Sequence, residues 1–152
     1  MTMVDEVKFN GETYAMIIRS NFKKDGISFF TPNDYSQQLA YMKHPSGKQI
    51  VPHFHNEVKR EVNITQEVLV IKSGRLRVDF YDEGQCYLAS DILAEGDVIL
   101  LARGGHGFEI LDEVEMREIK QGPFVGEIDK TRFEAPKGAE IVYRNEPERS
   151  VA

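Results

Sequence analysis

Cysteine is almost missing from this chain. The single Cys86 has no partner within it, which excludes an intrachain disulfide framework and any zinc site built from several thiolates. With no histidine beside it in sequence, Cys86 reads as an ordinary half-buried thiol in a reducing compartment. Tryptophan is absent, so the core has to come from aliphatic side chains together with nine phenylalanines and six tyrosines. Positive charge is in deficit: 19 basic residues against 25 acidic ones leave a formal charge of −6. A broad field able to displace counterions from a polyphosphate is therefore lacking, and no nucleic-acid partner is expected. Long apolar runs are missing too, none approaching the roughly 18 residues that a membrane span needs. The opening Met1-Thr2-Met3-Val4-Asp5-Glu6 carries acids where a secretory peptide carries bases. A cytoplasmic protein without membrane contact is the expectation.

What the chain does contain is a strand-and-turn rhythm. Short β-rich runs at residues 13–18 and 26–30 lead to a break at Pro32-Asn33-Asp34, after which Asp34 could cap a helix carrying Leu39 and Met42 or residues 39–42 could enter a sheet, the strand being preferred. The run at 50–55 and the one at 67–71 look like an antiparallel pair. Residues 76–82 alternate apolar and charged side chains, as a strand with one buried and one solvated face does. Similar runs follow at 86–88, 97–101, 107–111 and 114–119. So many short strands without a long amphipathic helix argue for an all-β sandwich or barrel. No repeat, linker or low-complexity segment divides the chain, so one domain over residues 1–144 is expected, with the charged residues 145–152 as a flexible tail.

Three of the four histidines fall where a strand meets a turn. His53 and His55 are two apart, so in an extended strand their imidazoles share a face and suit one cation. Gly47, His53-Phe54-His55, then Glu67 and Gly74 resemble the first motif of the cupin superfamily. Gly96-Asp97 followed by Gly104-Gly105-His106 resembles its second, so that the two motifs together span residues 47–110. The resemblance implies a cupin-type double-stranded β-helix, or jelly-roll barrel, with one divalent transition metal (Fe, Mn, Ni, Co or Zn) held by His53, His55, Glu67 and His106. Three imidazoles and a carboxylate suit those ions and leave positions open for substrate or oxygen.

The chain departs from the family pattern in two ways. Asn56 to Gln66, eleven residues, separate the HxH pair from Glu67, which makes Glu57 and Glu61 competing candidates. Glu67 is preferred because it opens an apolar strand and keeps its six-residue distance to Gly74. The second motif is one residue short before His106 and has Ala102 where a proline is common. Within the insertion, Arg60 is a candidate anchor for a substrate anion, since a guanidinium grips carboxylate or phosphate in two places. Glu118 and Lys120 share a face of a late strand and are expected outside, and His44 is expected at the surface. The glycines around His106 read as a turn that lets it reach inward, not as a phosphate cradle.

The functional expectation is a metal-dependent enzyme of dioxygenase or isomerase type, acting on a small polar metabolite. A general likeness to small bacterial cupins of carbohydrate or cell-surface metabolism points the same way. A non-catalytic binding or sensing module is the alternative. A homodimer is expected, because barrels of this family commonly pair through their sheets.

Overall fold

Residues 4–144 are described by a computed structural model. The tail expected at residues 145–152 lies outside the described residues. Among these, every regular element is a strand: β1 (Asp5–Phe9), β2 (Glu12–Ile18), β3 (Gly26–Phe29), β4 (Ala40–Lys43), β5 (Glu67–Ser73), β6 (Arg75–Tyr81), β7 (Tyr87–Ala94), β8 (Val98–Leu101), β9 (Gly105–Ile110) and β10 (Glu115–Lys120). No described helix is long and apolar enough to cross a membrane.

The strands form a five-stranded antiparallel sheet in the order β1-β2-β8-β5-β10 and a three-stranded one in the order β7-β6-β9. Period-two patterning decides which side chains meet between them. Ile17, Ile99, Leu69 and Ile71 of the first sheet share one buried core with Leu76, Val78, Phe80 and Leu93 of the second. The back of the larger sheet is also apolar, because Met16, Ile18 and Leu100 alternate with those inward residues. The β3-β4 hairpin and its flanks cover that back: Phe22 packs edge-on against Phe30 and Tyr41, with ring centres 5.4 and 4.9 Å apart. β2 is accordingly buried on both faces, from Tyr14 through Ile18.

Several expectations are corrected by these contacts. The two sheets do not close into a barrel among the described residues, since β9 and β10 each have a strand partner on one side only. Residues 50–55 form no strand, and β5 pairs instead with β8 and β10. Pro52 removes a donor from that segment, and among the described residues no strand pairs with it. β1 lies ahead of the first expected strand and binds β2 across a bulge at Val7/Lys8. β6 does not have a plainly solvated face: Asp79 is buried, where it accepts from Arg77 Nε at 2.7 Å and from the Ser90 hydroxyl. Cys86 is exposed, whereas His44 is half-buried.

Candidate functional site

Glu67 is the first residue of β5 and faces the interior because it lies opposite inward-facing Leu101 in the register. His106 is the second residue of β9, opposite Phe80 of the core. The two strands belong to different sheets, so their side chains approach across the open end of the sandwich. His106 Nε2 stands 3.4 Å from Glu67 Oε2, with the imidazole 30% and the carboxylate 14% exposed. The His106 interaction holds the Glu67 carboxyl below its ordinary value, against a burial effect that pushes it upward, and Lys120 and Lys130 add to the lowering.

A specific backbone device brings His106 there. Gly104 has φ +73°, and a Cβ on it would lie 2.5 Å from the Tyr14 ring and 2.6 Å from the Tyr81 carbonyl oxygen. The chain thus passes between two tyrosines, where only glycine fits, and turns into β9 with His106 directed inward. At Gly105 a Cβ would press on the Phe133 ring at 2.9 Å. Phe133 in turn packs edge-on against Tyr81, 5.0 Å between ring centres. The other glycine-led feature of the motif, Gly96-Asp97, has a structural role. Asp97 is buried and accepts from the Ser20 and Ala94 backbone nitrogens, both at 2.9 Å.

Around the pair lies a cavity of about 910 Å³ whose walls include Tyr81, Arg103, Phe108, Glu118 and Arg132. Glu118 and Lys120 are opposite Leu69 and Glu67 in the ladder, so they share the inner face, in contrast to the outside position expected for them. Arg103 is tied to Glu12 at 2.9 Å and to Glu83 at 2.7 Å, and Arg132 to Glu127 at 2.8 Å. Thr65 Oγ1 donates to Asp129 at 2.8 Å, pinning the segment after β10 across the cavity mouth. Tyr81, Arg103 and Phe133 were not singled out from the sequence. Arg103 lies within the second motif, which was a signal for it. Phe133 comes from a strandless segment with no periodicity to place it.

The other candidates lie elsewhere. His53 and His55 stand on an exposed segment with their rings 5.4 Å apart, and His53 Nδ1 is 2.9 Å from the Val51 carbonyl oxygen. Arg60 is exposed on the same segment beside a shallow hollow formed by its own neighbours 55–59, and Glu57 and Glu61 are exposed there as well. The structure brings together Glu67 and His106, and it brings together His53 and His55, but not the two pairs. Among the described residues no group of three or more His, Cys, Asp or Glu side chains is arranged to hold a metal ion. A single chain in this conformation does not fit the implied metal. In comparisons with known proteins, no family model, curated protein or solved structure matches the chain.

Proposed function

We propose that this chain is a cupin-type jelly-roll enzyme acting on a small polar metabolite in the cavity around Glu67 and His106. Two features support the jelly-roll reading. After β5 the chain alternates between sheets, with β6 and β7 in the small one, β8 in the large, β9 in the small and β10 in the large. The glycine turns at Gly96 and Gly104 also precede β8 and β9, which lie in different sheets, and β9 carries His106 into the cavity.

The observation that carries the functional reading is the 3.4 Å approach of His106 to Glu67 from opposite sheets within that cavity. A carboxylate held ionised against one imidazole nitrogen orients the ring and leaves its other nitrogen free to exchange a proton with a bound molecule. Proton transfer next to a carbonyl, the chemistry of an isomerase, is within the reach of these two residues as they stand. Lys120 and Lys130 supply positive potential beside them, suited to a substrate bearing negative charge. One chain gathers only two of the four implied ligands, so the proton transfer is assigned to Glu67 and His106 themselves.

The test is solvent exchange. The protein is incubated in deuterium oxide with a panel of hydroxy-ketones, keto sugars and keto acids, and isotope wash-in next to the carbonyl is followed by NMR. Wash-in should occur with the intact protein and fall at least about 100-fold in His106→Gln, the scale of general acid–base catalysis. Compounds that bind in the cavity without any exchange would leave a binding module in place of an enzyme.

A further inference from the structure

Residues 45–64 are all exposed and contain no strand. The one backbone hydrogen bond within this arm among the described residues joins Lys48 to Pro45 at 3.3 Å. Yet it is not composed like a solvated loop. Ile50, Val51, Phe54, Val58, Val62 and Ile64 are all exposed, Phe54 to 85%. Both ends of the arm are anchored. β4 precedes it, and Gln66 after it is buried, its side-chain oxygen accepting from Ser36 Oγ and the Gln37 nitrogen at 3.1 Å and its carbonyl from the Gln121 nitrogen at 3.1 Å. A segment that is anchored, carries six exposed apolar side chains and has no ladder partners has the chemistry of a strand detached from its sheet.

The body has a vacancy of matching kind. β9 and β10 each offer a free edge, and they flank the same open cavity. Phe108, Ile110 and Met116 are opposite Val78, Leu76 and Ile71 in the ladders, on the core-facing side, yet remain exposed, Ile110 to 51%. β9 is six residues long, and so is the span 50–55. Laid along β9 with His53 and His55 turned inward, that span would satisfy the edge and bring both imidazoles to the side where His106 and Glu67 meet.

We propose that the arm is exchanged: residues 50–55 of a second copy of this chain add to the free edge of β9 and close the cavity, each copy completing the site of the other. The arm's apolar side chains stand in water, and a reciprocal copy presents the matching edge and apolar rim.

The exchange is tested with the full chain. Light scattering should give twice 17.4 kDa. In a Cys86→Ser background, chains carrying only Phe54→Cys are co-expressed with chains carrying only Glu109→Cys and treated with a short bis-maleimide, whose span of about 10 Å tolerates a shift in strand register. The expected product is a covalent heterodimer. A monomeric protein overturns the exchange. So does a dimer in which the mixture stays unlinked while a chain bearing both cysteines closes on itself, since the arm then folds back in its own chain. A dimer in which neither the mixture nor the doubly substituted chain is linked overturns it as well.

Discussion

Asp91 is the residue whose replacement is expected to unsettle the sandwich most without touching the cavity. Its side chain is fully buried in β7, where Oδ1 accepts from Arg19 at 2.8 Å and Oδ2 from Arg144 at 2.5 Å. Both arginines also hold Asp5, at 2.8 and 2.9 Å, so through Arg19, just after β2, and Arg144 the network ties β7 to β1. Asp91→Ala leaves two guanidiniums facing an empty buried space. Removing one partner of a buried ion pair costs about 3–5 kcal/mol. Arg19 and Arg144 are 24% and 22% exposed and keep Asp5, which moves the expectation to the lower end, about 3 kcal/mol. For a chain of this size each kcal/mol shifts the melting temperature by about 2–4 °C, so a fall of about 6–12 °C is expected. Urea unfolding followed by circular dichroism measures the free energy, and thermal melts measure the shift. Asp112→Ala, which removes the exposed partner of Arg75, serves as control and should leave the midpoint unmoved within error. A loss below about 1 kcal/mol at Asp91 would refute the view that this network braces the sheets.

Further outcomes follow from other sites. At Gly74, φ is +83° and a Cβ would overlap the Glu113 carbonyl oxygen, so Gly74→Ala should destabilise by more than about 2 kcal/mol in the same assay. Gly104→Ala should displace β9 from between Tyr14 and Tyr81 and weaken metabolite binding more than stability, as read by calorimetric titration against urea midpoints. Glu67 has a folded pKa depressed below its ordinary 4.5, mainly by His106. Its contribution is therefore present above about pH 4.5 and lost as pH falls through the lower folded value. Glu67→Gln should flatten the stability profile across that acidic window. An unchanged acid limb would remove the carboxylate–imidazole contact from the account.

Much of the architecture could be read from local pattern alone. The alternation in residues 76–80 sends Leu76, Val78 and Phe80 to one side, because successive side chains of an extended backbone point oppositely whatever surrounds them. The glycines at 96 and 104 were legible as turns for a similar reason, since positive φ is a demand of the backbone itself. His53 and His55 lie with their rings 5.4 Å apart, but on a segment without a strand, so the strand geometry expected to align them is not what does so.

Long-range pairing was not legible in this way. Nothing local to Asp79 says that Ser90 will cover it, and nothing in Glu118 says that its face is the inner one. Those outcomes depend on which strand lies opposite, with Leu69 at Glu118 and Ala89 to Asp91 beside β6. The widest gap between sequence and structure is the arm. Its composition specifies a strand, but a strand needs an edge to bind, and within one chain the edges of β5 are already taken by β8 and β10. Side-chain period belongs to the segment and survives wherever the segment goes, whereas its location is set by the free hydrogen-bonding edges that the rest of the molecule leaves open.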